Sequence, residues 1–386
     1  MDLSESLFNP STHSDKRVQP RDRDATATRT AQCEPTPGTM GSDEQEPVRK
    51  CNRLSSIETS QRDAITETVA EYISKKSSRG QSRLYAEHDA LTRKEKHIWK
   101  YNRNVEKNRS STTVCYNEGA VELTTGNKKE EKLDKDNTYI NANHLHSPYG
   151  NFILAQAPMA NTLIDWYRMI WQLKIAVVVC LVDPEDRAQC EPYFKPYQNR
   201  TFKIKNRFAV RTISIREEDA GITNYQLKLT NKLSLEKNRT LYVIAMPTQV
   251  NTPVHPRKQL NLIAEVSATE TAASNGEETE IPPILVHGCN GVGRTAAFIA
   301  TFMLCRSLQK FGEMSPVEVW VRLNHARHNA AKERIYFLSS IECALLYAVD
   351  IGLIAASNPQ LMQVNKMFRS SYEEERRLRL ISSGSS

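Results

Sequence analysis

Apolar positions follow different periods in different parts of this chain, and the changes divide it. Residues 1–60 show no period at all: Ser, Thr, Pro, Asp and Arg dominate, and large apolar residues are almost absent after Phe8. Such a segment cannot bury enough surface to offset its ordering entropy, so a disordered polar tail is expected there. From Ile65 onward, ITETVAEYI and then LYAEHDALTRKEKHIWKYNRN carry apolar side chains at helical spacing. A strand-rich middle follows: FILAQAP (152–158), IAVVVCLV (175–182), FAVRTISI (208–215), YQLKL (225–229) and LYVIAM (241–246). Between the first two, NTLIDWYRMIWQL reads as an amphipathic helix from an Asn or Thr cap, with Leu163, Trp166, Ile170 and Trp171 on one side as core. In the last third, PPILVHG is a short strand ending in a glycine-rich turn, with the helix TAAFIATFMLCRSLQKF directly behind it. SPVEVWVRLNHARHN opens with a Ser cap and Pro at the first helical position, and SSIECALLYAVDIGL is the final apolar helix. The pattern predicts an α/β (α+β) domain over 61–352, a twisted mixed sheet flanked by helices, followed by a polar tail over 353–386 whose last stretch, EEERRLRLISSGSS, is expected to be frayed or solvated.

Composition adds exclusions. Of 386 residues, 39% are hydrophobic and 25% charged, ordinary for a globular protein. No run approaches the ~20 apolar residues needed to span a bilayer, and the N-terminus lacks the basic-then-apolar layout of a secretory signal. A cytoplasmic location is the resulting expectation. Eight cysteines without a CxxC pair or zinc spacing make neither a disulfide framework nor a metal site. Cys180, Cys305 and Cys343 read as reduced core residues, and no cofactor or metal is expected. The net charge of +7 favours acidic partners in general, without the basic, aromatic-laced stripe of specific nucleic-acid binding.

The most informative stretch is 286–295, VHGCNGVGRT. Strand, glycine-rich turn and helix start aim backbone N–H groups and a positive dipole end at one spot, which makes an anion cradle. Arg294 adds a planar bidentate donor. The candidate phosphate-binding residues are Cys289, Asn290, Gly291, Val292, Gly293, Arg294 and Thr295. The segment resembles the active-site motif of the protein tyrosine phosphatases, His-Cys-x5-Arg-Ser/Thr, with Val286, His287, Gly291, Val292, Gly293, Arg294 and Thr295 in register. Other landmarks follow in family order: Lys107-Asn108-Arg109, Tyr139-Ile140-Asn141-Ala142-Asn143, Gln156-Ala157-Pro158, Asp165-Trp166-Tyr167-Arg168-Met169, then Cys190 and Tyr193. The resemblance implies the phosphatase fold, of the non-receptor type, over roughly residues 60 to 352.

It also implies a loss of chemistry. The family's nucleophilic cysteine follows the histidine; here that position is Gly288. Cys289 comes one residue later, where the splayed side chains of an anion nest should aim its sulfur away from phosphate. The family's acid, an aspartate in Trp-Pro-Asp, corresponds to Thr248 in Met246-Pro247-Thr248, and a threonine hydroxyl is no acid near neutral pH. An alignment anchored on Tyr336 puts Ala331 and Ile335 where two glutamines position water. The recognition loop's tyrosine and aspartate are replaced within Ser110-Ser111-Thr112, and the aspartate before the Tyr139 strand by Thr138.

The leading expectation is therefore an inactive pseudophosphatase, binding or scaffolding phosphorylated proteins or a protein kinase. Hydrolysis of phosphotyrosine through Cys289 is the alternative. A nonspecific anion binder using Arg376, Arg377, Arg379 or Lys128-Lys129 is the third class. His287 is read as a hydrogen-bonding orienter of the loop, and Asp183 to Asp186 as a loop cap with no metal.

Overall fold

The structure, a computed structural model, describes residues 67–91, 96–124, 138–218, 221–274 and 282–384. All of them belong to the contact unit Ser55–Ser386. The N-terminal tail and Lys128-Lys129 lie outside the described residues. A short strand β1 (Glu67–Thr68) leads into α1 (Val69–Arg79), which begins later than Ile65 because Thr68 and Glu71 form a capping box. There follow α2 (Gln81–Asp89), α3 (Trp99–Arg103), β2 (Ala120–Glu122), β3 (Tyr139–Ser147), β4 (Gly150–Ala155), α4 (Leu163–Gln172) and β5 (Val177–Cys180). Next come β6 (Thr201–Ile204), β7 (Phe208–Glu218), β8 (Ile222–Asn231), β9 (Asn238–Ala245), α5 (Pro256–Ala273) and β10 (Ile284–His287). The chain then runs through α6 (Gly293–Phe311), β11 (Glu313–Met314), α7 (Pro316–Ala326), α8 (Arg334–Asp350) and α9 (Pro359–Gly384).

Nine strands form one mixed sheet in the order β2-β3-β4-β10-β5-β9-β8-β7-β6, while β1 pairs with β11. The centre is parallel: β10 lies between β4 and β5, and β5 pairs with β9. These strands are buried on both faces, which explains why they read as continuous apolar runs instead of alternating ones. Along β5, Val177 and Val179 join the core under α6 and α8, whereas Val178 and Cys180 join the core under α4. Trp166 and Ile170 fill that second core, with Leu163 and Trp171 partly buried beside them, so the α4 stripe is packing. Because β10 is parallel to both neighbours, the turn after His287 emerges at the carboxyl ends of the central strands, where open α/β sheets place their sites.

Two cap assignments differ from expectation. Thr162 and Ser315 occupy the N-cap positions of α4 and α7, but neither side chain caps its helix. Thr162 instead exchanges hydrogen bonds with the backbone of Met159. Cys180, Cys305 and Cys343 are free and buried, as expected. No helix among the described residues is long and apolar enough to cross a membrane.

The larger correction concerns residues 353–386. Instead of fraying, residues 359–384 form α9, with Leu361, Val364 and Phe368 buried in the main core. Tyr372 donates to Glu342 at 2.7 Å, Arg334 pairs with Glu375 at 3.0 Å, and Tyr85 donates to Glu374 at 2.9 Å. Phe368→Ala should therefore cost about 3–5 kcal/mol, while Leu380→Ala, exposed on the same helix, should change stability by no more than about 0.5 kcal/mol. Denaturant unfolding of both variants checks this; two silent substitutions would mean that α9 contributes nothing to the core.

Candidate active site

The loop after β10 wraps a cleft of about 340 Å³ lined by residues 288–295 together with Thr112, Gln189, Asn251, Asn329 and Glu333. All seven phosphate-binding candidates, and Gly288, line this one cleft. The loop's shape follows from where its carbonyls are held. Ala157 N–H donates to the Cys289 carbonyl at 2.9 Å. The buried Arg327 guanidinium donates to the carbonyls of Asn290 (3.1 Å) and Gly291 (3.2 Å), and to Asn143 Oδ1 (2.8 Å). In a trans peptide the N–H points opposite to the C=O, so anchoring these three carbonyls outward turns the next three amides toward the cleft. The N–H groups of residues 289–295 donate to no acceptor among the described residues. Gly291 has φ +67°, and a Cβ there would stand 2.2 Å from the Ala155 carbonyl oxygen, so only glycine fits. At Gly293 the obstacle is the Tyr336 ring, 2.4 Å from the Cβ position.

Gly288 is different, because a Cβ there would meet its neighbours at ordinary van der Waals distance. A Cβ there would lie 3.5 Å from Thr295 Oγ1 and 3.7 Å from Arg294 Nε, at the floor of the cradle. Thr295 Oγ1 is buried without a hydrogen-bond partner. Cys289 is half-buried and contributes to the cleft wall.

Arg294 is already engaged. Its Nη1 donates to the carbonyls of Thr248 (2.6 Å) and Leu181 (3.3 Å), and its Nη2 to Gln189 Oε1 (2.8 Å). Asp186 orients that glutamine, accepting from its Nε2 at 2.8 Å. Asp183 and Asp186 accept from the amides of Glu185 and Ala188, as loop caps do. Among the described residues no group of three or more His, Cys, Asp or Glu could hold a metal ion. Thr248 Oγ1 donates to the Leu181 carbonyl at 3.1 Å, so its one proton is committed to backbone.

His287 behaves as expected. It is fully buried; Tyr193 OH lies 3.0 Å from Nε2, and Nδ1 faces the Gly288 carbonyl at 3.3 Å. Desolvation, helped by the Arg294 and Arg109 charges, lowers its pKa from 6.5 to about 4. The imidazole is neutral, with Nδ1–H donating and Nε2 accepting. Burial also pushes the Cys180 thiol up to about 12 and the Cys190 thiol higher still, so neither is a thiolate near neutral pH.

The recognition loop is held as a scaffold. Lys107 Nζ donates to Asp165 at 2.6 Å, and Asp165 also pairs with Arg168 at 3.0 Å. Asn108 Oδ1 accepts from Tyr139 OH (2.5 Å) and Asn141 Nδ2 (2.8 Å), and Gln156 bridges the Lys107 carbonyl and the Arg109 amide. Beyond Arg109 the wall is polar: Ser110 and Thr112 hydroxyls lie 3.1 Å apart, and Asn329 Nδ2 donates to the Thr112 carbonyl.

Three groups that hold or line the cleft carry no local sequence signal: Arg327, Gln189 and Glu333. Arg379 of α9 donates to the Asn251 carbonyl and lies 3.7 Å from Glu333 on the rim, so it is engaged in the fold. The expectation for Ala331 and Ile335 needs correction in position. Both are buried in the main core, and the cleft wall at this point is made by Lys332 and Glu333.

The sequence profile described as protein-tyrosine phosphatase matches residues 104–346. Tyrosine-protein phosphatase non-receptor type 7 of Mus musculus is 32% identical over 223 residues, covering 56% of this chain and 58% of that protein. Tyrosine-protein phosphatase non-receptor type 5 of Rattus norvegicus is 28% identical over 239 residues, covering 58% of each chain. Tyrosine phosphatase H3 of Microplitis demolitor bracovirus is 25% identical over 245 residues, covering 59% of this chain and 76% of that one.

The His287 environment fixes a pH dependence. Its native pKa lies below the unfolded value, so the unfolded chain takes the proton first as pH falls from about 6.5 to about 4. The stability is fully present above about 6.5 and falls by roughly 3 kcal/mol through that window. Urea unfolding of His287→Gln, less stable at neutral pH, should lose correspondingly less than wild type on acidification. Equal losses in the two proteins would contradict the assignment.

Proposed function

The chain belongs to the protein-tyrosine phosphatase family, and from that premise we propose that its domain binds phosphate groups without cleaving them. Its role is then to dock phosphorylated proteins, or a protein kinase, in the cytoplasm. The observation that carries this reading is the floor at Gly288, where a side chain would face Thr295 and Arg294 and the chain bears no nucleophile. The acid is missing independently, since the Thr248 hydroxyl donates to backbone. A donor with no acidity forfeits the roughly 100- to 10,000-fold that proton transfer contributes. The binding apparatus is meanwhile complete: unpaired amides over 289–295, the Thr295 hydroxyl, and Arg294 Nε beside the floor. An anion would take charge-assisted bonds from these groups, and a bidentate grip by Arg294 would exchange its present bonds to Thr248, Leu181 and Gln189.

A second reading retains hydrolysis through Cys289, favoured by its place on the cleft wall. A thiolate is intrinsically nucleophilic even when modestly aligned. Single-turnover phosphate release from a phosphotyrosyl peptide, with protein in excess, separates the two. A flat trace is expected for wild type and for Cys289→Ser alike, and slow release for Gly288→Cys, which restores a thiol at the floor. Release by wild type that disappears in Cys289→Ser would establish the second reading instead.

Binding has its own test. Thr295→Val removes the unpaired hydroxyl and should weaken inorganic phosphate about 5- to 10-fold by calorimetry, with little change in folding. An unchanged affinity would mean that the anion does not reach the cradle floor.

A further inference from the structure

Resting on that reading, and specifying its ligand, we infer that the cleft selects phosphate monoesters of aliphatic hydroxyls over aryl phosphates. A phosphate on a tyrosine ring stands far from the backbone that carries it, so a site for it needs apolar walls along the ring. Here the walls above the cradle are mostly polar: Thr112, Thr113, Asn251 and Asn329 bring hydroxyls and amides, Lys332 and Glu333 bring charges, and Val250 is the aliphatic side chain among them. The one aromatic ring in the lining, Tyr336, is not available as a platform. It is packed behind Gly293, and its hydroxyl accepts from the Asn251 amide at 2.8 Å. The loop itself cannot easily bring a ring in. Tyr101 OH donates to the Ser110 carbonyl at 2.6 Å, the Ser110 and Thr112 hydroxyls lie together, and Asn329 tethers the Thr112 carbonyl.

An aromatic side chain entering this cleft would cover polar groups without pairing them. A phosphoserine side chain is short, so its phosphate reaches the loop only when the peptide backbone itself descends between the walls. The cleft, at about 340 Å³, has room for more than a phosphate group. Peptide amides and alcohol oxygens could pair with threonine hydroxyls and asparagine amides, as a ring could not. The cradle supplies affinity for any phosphate, and the polar walls supply the preference. The same chemistry would accept a small phosphorylated polyol.

Calorimetry on the full chain decides the matter with four ligands: a phosphoserine peptide, the same peptide carrying phosphotyrosine, its unphosphorylated form, and glycerol 2-phosphate. On wild type the phosphoserine peptide should bind more tightly than the phosphotyrosine peptide, and the unphosphorylated form should not bind. Ser110→Tyr should move the ratio about 5- to 10-fold toward phosphotyrosine. Asn329→Ala should weaken the phosphoserine peptide while leaving inorganic phosphate unchanged. Glycerol 2-phosphate binding as tightly as the peptide would identify a small-molecule ligand, and a clear advantage for the peptide a protein one; both carry the aliphatic monoester. Wild type binding phosphotyrosine about tenfold tighter than phosphoserine would overturn the inference and leave the anion-binding reading standing. If neither phosphopeptide nor inorganic phosphate bound, the anion-binding reading itself would fall.

Discussion

A single buried guanidinium sets the geometry on which the site depends. Arg327 has no exposed surface, and its hydrogen bonds go to the Asn290 and Gly291 carbonyls and the Asn143 side chain. Burial disfavours its charge and lowers its pKa, a cost that those oxygen contacts offset. By holding carbonyls on the core side of the loop, it turns amides to the cleft side. Parallel pairing of β10 with β4 and β5 delivers the loop to that point, and Gly291 lets it pass within contact of Ala155. The direction of the loop amides is thus set by backbone and by Arg327, independently of the side chains that line the cleft.

That separation explains the mixture of retained and missing groups. The Lys107–Asp165–Arg168 cluster and the Asn108 and Gln156 hydrogen bonds hold up the recognition loop, and removing any one of them would leave a buried polar group unsatisfied. Gly288 has no side chain to satisfy, the Thr248 hydroxyl is paired with the Leu181 carbonyl, and the Ser110 hydroxyl is paired with Thr112. The engagement of Arg294 by Thr248, Leu181 and Gln189 further ties the would-be acid loop to the cradle, so the two form one wall.

The parts legible in the sequence were those with a local signal. Continuous apolar runs marked the doubly buried central strands, and the glycine spacing with Arg294 marked the cradle. The unreadable parts depend on distant partners. In α9 the apolar residues Leu361, Val364 and Phe368 are diluted by charge, and only their burial beneath a polar face identifies a core helix. Arg327 follows an amphipathic helix and looks like any surface cation until the loop above it is in place. Ala331 and Ile335 illustrate the limit of alignment by a single anchor: near Tyr336 the chain turns so that Lys332 and Glu333 reach the cleft. Thr295 was recognisable as a motif residue, yet its unpaired hydroxyl is visible only when Gly288 is seen beside it.

The most direct test is a phosphorus NMR spectrum of the protein with one equivalent of phosphopeptide at neutral pH. A receptor without a nucleophile predicts a monoester resonance displaced from that of the free peptide and undiminished over time, with no inorganic phosphate signal. A growing inorganic phosphate signal would contradict the account by showing catalysis. A resonance identical to that of the free peptide would contradict it by showing that the cradle holds nothing.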